Sequence, residues 1–378
     1  MKVRIVGPAP GSTGGVGVMS SYLESTSSQR TSLEFIESGG APGPKLWRLK
    51  NFAMAMLAAL RKGGDGDVWV LQLASGGSTW RKLLVSWVLR ARKKPYLLHL
   101  HGAAYPMFLS GQPAMLRRAI LSFFQHATAV LVLGYEWRDF VSRELRVTAD
   151  RLVLLPNAVP GPEMLPTRSL PVRVLFAGRV GVRKGAPTLL QAWAQVETSG
   201  RAVLVLAGDL DDPDGTIAEA VKASTDVEVL GWLDSDGLRE QMALAQVLVL
   251  PSQVENLPLS LLEGMAWGLA PVVTPVGAVA EVVQDGRDGL LVPVDDADAL
   301  AAALRRVISD DDDRARLARS ARQRWETGYT LESYRPRFDD IVEAARRRHT
   351  AERIAEHGAE HGRGRRRSRA AQRKGRTS

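Results

Sequence analysis

Two glutamates, Glu255 and Glu263, stand either side of the uncharged run NLPLSLL, directly after the strand-like segment VLVLPS. Two carboxylates held apart in this way can each take hydroxyls at one end of a long ligand. Pro258 suits the first turn of a helix. Glu255 then falls in the loop before that helix and Glu263 more than a turn inside it, roughly 7–8 Å further along the axis. The amide-rich helix start between them suits a phosphate. One capping and one surface glutamate fit the same spacing.

The segment FAGRVGVRKGAPTLL places Arg179 and Lys184 five residues apart on a glycine-rich turn between a strand and a helix. A forked guanidinium, a point-charge ammonium and helix-start amides together suit a diphosphate. The turn is not a P-loop, because the Gly-Lys-Ser/Thr ending is missing; a solvated basic loop is the other fit. In GPAPGSTGGVGVMSSYL, Gly15-x-Gly17-x-x-Ser20 is a damaged dinucleotide fingerprint, with Glu34 or Glu37 near the spacing of a ribose-binding acid. The two prolines fit that fingerprint poorly and favour a general phosphate or acceptor loop. YLLHLHG carries His99 and His101. His101 closes its strand before Gly102, so it is expected to reach a cleft where His99 stays in the sheet. The acidic strings at 65–67, 211–214, 234–236 and 310–313 read as loops or helix N-caps, and no metal site is expected.

These residues sit at the ends of short apolar runs. The expected strands are 3–7, 68–74, 96–102, 129–134 and 151–156, then 172–178, 201–208, 227–231, 247–252, 270–275 and 289–293. Longer amphipathic stretches separate them. Strands that are apolar on both faces and alternate with helices point to α/β layers around parallel sheets. A Pro-rich break, PNAVPGPEMLPTRSLP, divides them into two sets. The expected fold is therefore two Rossmann-like parallel-sheet domains facing across a cleft, residues 1–165 and 166–329. In such sheets ligands lie beyond the carboxyl ends of the strands, where Gly7, His101, Gly178, Gly208, Gly231 and Ser252 fall.

A chain of 378 residues exceeds one ordinary domain, and 45% hydrophobic with 24% charged residues is normal for a water-exposed globular protein. There is no cysteine, which excludes disulfides and thiol chemistry. The net charge of +9 is local: residues 346–378 hold 12 Lys and Arg against 3 Asp and Glu, and the rest is neutral. The tail 347–378 is expected to be disordered, docking on anionic lipid or nucleic acid or staying solvated. A nucleic-acid enzyme would carry such charge on its folded part. MKVRIVG reads as a strand and not a signal peptide, and no window is apolar enough to span a membrane. The expected location is cytoplasmic, free or at the inner membrane face. RKLLVSWVLRARKK and PAMLRRAILSFF fit equally well as packed helices or as basic amphipathic surfaces on anionic lipid.

Taken in order, the glycine-rich loop, His-Gly, LPNAV, GRVGVRKG, AGD, VLGWL, LPSQVENLPLSLLEGMAWG and VGAVAEVVQDGRDGLLV resemble the retaining glycosyltransferases of glycosyltransferase family 4. The resemblance runs from residue 1 to about 340 and is strongest over 172–295. It implies the GT-B arrangement of two Rossmann-like domains, a helix near 330–346 crossing back to the first half, and a nucleotide-diphosphate sugar as donor substrate with no further cofactor or catalytic metal. It implies that Arg179 and Lys184 hold the diphosphate, Glu255 the donor sugar and Glu263 the ribose. His101 is implied beside sugar and acceptor. Gly14, Gly15, Gly178, Gly231, Asn256 and Leu257 are implied around the donor. The implied acceptor is a glycan or a lipid-linked molecule of cell-surface polysaccharide or glycoconjugate synthesis. A sugar-nucleotide epimerase, or a non-catalytic nucleotide-sugar-binding protein of the same fold, is the alternative. Two departures stand out. Asn256 replaces the usual glycine, and because Asn tolerates left-handed backbone the loop is expected to keep its shape. AGDLDDPDG lacks the second glycine usual after Gly-Asp, which bears on base contacts there.

Overall fold

The computed structural model describes residues 1–374 other than 41, 42, 65 and 225, with side chains through residue 355. The first sheet comprises β1 (Lys2–Gly7), β2 (Ser32–Glu37), β3 (Val68–Leu73), β4 (Tyr96–Leu100), β5 (Ala129–Val132) and β6 (Leu152–Leu154). Its order is β2-β1-β3-β4-β5-β6, parallel throughout. After the linker come β7 (Val172–Ala177), β8 (Val180–Gly181), β9 (Ala202–Ala207), β10 (Leu210–Asp211), β11 (Val227–Gly231), β12 (Val247–Leu250), β13 (Ala270–Val273) and β14 (Leu290–Leu291). Six of these form a second parallel sheet, β11-β9-β7-β12-β13-β14, and β8 pairs with β10 beside it.

Central strands such as VWVLQL and VLVL are buried along their whole length, because helices cover both faces. On one face of the first sheet lie Ala55, Leu83, Phe123 and Val141 from four helices. On the other lie Met19 and Leu23 together with Leu331, Tyr334, Phe338 and Val342 of the C-terminal helix. In the second sheet Leu189, Trp193, Leu300 and Leu304 pack one face, and Leu261, Leu262, Met265 and Trp325 the other. Three of the acidic strings cap or brace helix starts: Asp234 and Asp310 accept the amides of Gly237 and Asp313, and Asp212 those of Ile217 and Ala218, while Asp67 holds Arg4 and the amide of Gly64.

The strand order reverses once in each sheet, between β1 and β3 and between β7 and β12. The helices that follow β1 and β3 lie on opposite faces, as do those that follow β7 and β12, so a crevice opens at each pair of carboxyl ends. The two crevices face one another. Asn256 Nδ2, beyond β12, donates to the carbonyl of Leu100 at the end of β4 (3.2 Å), and Tyr22 Oη donates to Glu263 Oε1 (2.6 Å).

The C-terminal helix, Leu331–Lys374, returns to the first sheet. The tail expected to be disordered is instead its continuation as far as Lys374. Its Ala, Arg, Glu and Gln are strong helix formers and no proline follows Pro336. Arg348 pairs with Asp150, Glu352 with Arg151, and His349 Nε2 donates to Lys93 O. Residues 375–378 of that call lie outside the described residues.

One buried network fastens this helix. Arg335 and Asp339 are 5% and 2% exposed and pair at 3.2 Å. Asp339 accepts the hydroxyls of Ser28 (2.6 Å) and Thr31 (2.5 Å), while Arg335 donates to Thr26 and Thr31. Every polar group is matched, so removing the carboxylate strands a buried guanidinium and two hydroxyls. Asp339→Ala should lower the unfolding free energy by about 3–5 kcal/mol. Asp340→Ala removes a carboxylate that is 68% exposed and should cost less than about 1 kcal/mol. Urea unfolding of the two variants against the parent checks both.

Candidate functional site

The crevice between β7 and β12 is built by two loops, 178–185 and 251–258. Gly185 takes φ +73°, and a Cβ there would lie 1.9 Å from the carbonyl of Pro251. Only glycine lets the loops come this close. That approach carries Lys184 to Glu255: Nζ and Oε1 are 2.5 Å apart, with the side chains 13% and 11% exposed. Gly178 sits beside the same ammonium, where a Cβ would stand 3.6 Å from Nζ. Arg183 Nη1 lies 3.9 Å from Glu255 and donates to Val254 O (3.1 Å). Arg179 is farther out. Its guanidinium is mostly exposed and faces Asp211 at 3.8 Å. The second cation at Glu255 is thus Arg183, which the spacing of Arg179 and Lys184 did not single out.

The loop after β12 is pinned from three sides. Gly277, at φ +58°, packs on the carbonyls of Glu255 and Asn256, where a Cβ would be 2.3 and 2.4 Å away. Ala278 N donates to Asn256 O (2.7 Å). Asn157 of the linker donates to Leu257 O (2.8 Å). Asn256 corrects an expectation: it is not among the left-handed residues. It is buried and uses its side-chain amide as a strut to Leu100 across the cleft, a role glycine could not fill.

The helix after this loop is Leu259–Ala266, with Pro258 as its N-cap. Glu263 lies in its middle, buried, with Tyr22 as its hydrogen-bond partner from the first half. Burial pushes the Glu263 carboxyl above the usual carboxylate range; the Tyr22 hydrogen bond and Arg239 pull it back. Burial and the facing carboxylate push the Tyr22 phenol up as well. Tyr22 was not anticipated. It is one hydroxyl on a helix 241 residues away in sequence, and only the cleft brings the two together.

On the first sheet, the loop after β1 leads through Gly14 (φ +88°) into the helix Gly15–Ser25. Gly15 reaches the facing half, where a Cβ would be 4.0 Å from Leu259. The ribose-acid expectation for Glu34 or Glu37 is overturned. Glu34 pairs with Lys2, Arg4 and Lys62. Glu37 accepts the amides of Ala9 (2.9 Å), Gly39 (2.8 Å) and Gly40 (3.1 Å). Both are committed to holding backbone and neighbouring charges. His101 follows β4, with its ring 4.0 Å from that of His99. Burial, then the nearby Lys82 charge, pushes His101 down to about 4, so its imidazole is neutral at pH 7. Its Nε2 is buried and has no partner among the described residues. Gly231 ends the edge strand β11, two strands from β7, and is open on its Cβ side.

Lys184, Glu255, Gly178, Asn256 and Leu257 are therefore brought together in one crevice. Glu263, Gly15 and His101 meet the same cleft, and Arg179 and Gly231 stand toward its rim. Among the described residues no three His, Cys, Asp or Glu side chains converge as a metal ligand set.

Comparison with known proteins gives this arrangement a family. Residues 171–310, which contain both loops of the crevice, match the family model described as glycosyl transferases group 1. The chain is 26% identical over 306 residues to the alpha-D-kanosaminyltransferase of Streptomyces kanamyceticus, covering 74% of this chain and 76% of that protein. It is 33% identical over 217 residues to the alpha-maltose-1-phosphate synthase of Mycolicibacterium smegmatis, covering 50% of this chain and 56% of that protein. Among solved structures, the sucrose-phosphate synthase of Thermosynechococcus elongatus superposes with a TM-score of 0.75 at 19% identity, over 91% of this chain and 98% of that one. Anabaena HepE in complex with UDP superposes with a TM-score of 0.71 at 16% identity, over 91% and 100%. Residues 171–310 thus carry a group 1 glycosyl transferase domain with the crevice inside it, and the two Rossmann-like halves are arranged as in GT-B glycosyltransferase structures.

Proposed function

We propose that the protein is a retaining glycosyltransferase that moves a sugar from a nucleotide-diphosphate sugar to a hydroxyl of a glycan or lipid-linked acceptor. The observation that carries this reading is the Lys184–Glu255 pair at the β7/β12 crevice. It sets a cation for a departing diphosphate beside a carboxylate for sugar hydroxyls. In the transfer, the bond from the anomeric carbon to the diphosphate oxygen breaks and its electrons stay on the diphosphate. The acceptor oxygen bonds to the carbon, and its proton passes to the diphosphate oxygen that the cleavage frees. Lys184, with Arg183 and Arg179 further out, offsets the charge that builds on the leaving group. Glu255 orients the sugar, Glu263 takes the ribose hydroxyls in exchange for Tyr22, and the neutral imidazole of His101 faces sugar and acceptor. The nucleotide complexes of HepE support the donor class. The closed cleft keeps water, a competing acceptor, from the anomeric carbon. An epimerase would change the donor sugar without needing an acceptor, which product assays with and without acceptor separate.

A peripheral contact with anionic membrane is supported by one surface. The helix Lys45–Arg61 leaves Leu46, Leu49 and Met54 more than half exposed among Lys45, Arg48 and Lys50, with no acidic residue in it. No helix among the described residues is long and apolar enough to cross a membrane.

The donor reading is tested by a thermal-shift panel of nucleotide sugars followed by transfer assays. The true donor should raise the melting temperature in proportion to its occupancy. Lys184→Ala should cut transfer by about 100-fold or more, and Glu255→Ala should do the same. Transfer within twofold of the parent in both variants would refute the assignment. Glu263→Gln should act in two directions. Because burial raises the folded carboxyl above its unfolded value, that carboxyl stabilises the fold at low pH and loses its contribution as pH rises through the folded value. Gln keeps an acceptor for Tyr22 without the charge. The variant should melt higher at pH 7, with a flatter pH dependence, while binding the nucleotide about tenfold more weakly.

A further inference from the structure

A group of cations on the first half is left without counter-charges. Lys82 lies on the helix Gly77–Ala91 and is 1% exposed. Its ammonium has three donors, and its partner among the described residues is the hydroxyl of Ser78, at 3.2 Å. Arg81, one position earlier, has a buried Nε without a partner. Its Nη1 lies 3.1 Å from where a Cβ of Gly77 would stand, and its Nη2 3.2 Å from that of Gly40. Both side chains run back to the amino end of their own helix. That end has Gly76 as its N-cap, with no side chain bonded to its amides. Arg48 adds a third charge close enough to disfavour the charge on Arg81. Burial and Arg81 push the Lys82 ammonium down to about 7, against the pull of Glu37. Glu37 is the carboxylate within electrostatic reach, yet both its oxygens already accept backbone amides, and it forms no ion pair with these cations among the described residues.

A buried ammonium beside the Arg81 guanidinium, itself within reach of Arg48, and an uncapped helix start are costly unless an anion completes them. We propose that Lys82, Arg81, Ser78 and the amino end of the helix Gly77–Ala91 form an oxyanion site for a phosphate carried by the acceptor. The site is distinct from the donor cations: it follows β3, beside His101 after β4, where Gly102 packs on Ala74 and Ser75. It belongs to the β1/β3 crevice, across the cleft from Lys184. The inference rests on the glycosyl-transfer reading for the word acceptor, and it narrows the acceptor to a phosphorylated molecule. The anion site itself does not depend on that reading.

The test is titration of inorganic phosphate at constant ionic strength, read by thermal shift, into the parent chain, Lys82→Met, Arg81→Gln and Lys184→Ala. Phosphate should raise the melting temperature of the parent and of Lys184→Ala alike. Lys82→Met and Arg81→Gln should each weaken the apparent phosphate affinity about tenfold or more. Without phosphate, Lys82→Met should melt no lower than the parent, since an apolar isostere replaces an uncompensated charge. If Lys82→Met fails to fold, Arg81→Gln carries the comparison. A phosphate response unchanged in the Lys82 and Arg81 variants, lost with Lys184→Ala, or absent from the parent overturns the site. The nucleotide-sugar panel on the same four proteins separates the two readings. A Lys82-dependent phosphate response with no nucleotide response anywhere would sink the donor reading and leave the anion site standing.

Discussion

The segment 251–263 is the constraint on which the rest of the structure depends. It must turn from β12 into a helix at the strand-order reversal while facing another sheet, so its backbone cannot rely on water for all its hydrogen bonds. The chain answers with partners from both halves. Asn157 and Ala278 take its carbonyls, Gly277 lets a second loop lie against it, and Asn256 reaches Leu100 across the cleft. A loop fixed on these sides has little freedom left. That rigidity is what sets Glu255 against Lys184 with both side chains nearly buried, and it preorganises the charges before any ligand arrives.

Closing the two crevices on each other also sets the chemistry of the groups between them. Burial acts on each according to its charge. It raises Glu263 and lowers His101 and Lys82. The result is a cleft with a reluctant carboxylate, a neutral imidazole and an ammonium that holds its proton weakly. Glu263 is met by the hydroxyl of Tyr22, whereas Lys82 contacts a neutral hydroxyl, that of Ser78, and no carboxylate among the described residues. The charge compensated most closely among the described residues of the cleft is that of Glu255, by Lys184 at 2.5 Å.

Much of this was legible before the fold was known, and what was missed has a common cause. Uniformly apolar strands such as VWVLQL announced themselves, as did the spacing of Glu255 and Glu263, because both signals are local. β2 escaped because SLEFIE is an edge strand whose glutamates pair with Lys2, Arg4 and Lys62 or hold loop amides; its pattern is that of a charged surface. Tyr22, Asn256 as a strut, and Lys82 without a counter-charge in contact were invisible for another reason. Each takes its meaning from a residue, or from the lack of one, contributed by a distant element. The C-terminal segment was read as disordered because it is polar, Arg-rich and nearly free of large apolar residues. Arginine-rich composition argues against a core, but it does not argue against a helix, and the first turns past residue 347 find partners on the first half.

The C-terminal helix joins these observations. It leaves the second half at Leu331 and is fastened to the first by the Arg335–Asp339 network, whose hydroxyl partners all lie between Thr26 and Thr31. That segment directly follows the helix Gly15–Ser25, which carries Tyr22. The network therefore ties the position of Tyr22 to the same helix that links the halves, and Tyr22 is what Glu263 faces. Any motion that separates the halves must break the Tyr22–Glu263 and Asn256–Leu100 contacts, yet it can leave the buried Arg335–Asp339 clamp intact. The cleft is thus able to open about the linker and the start of this helix without loosening the helix itself. This is the behaviour expected when two stiff bodies share one crossover element and a few polar struts.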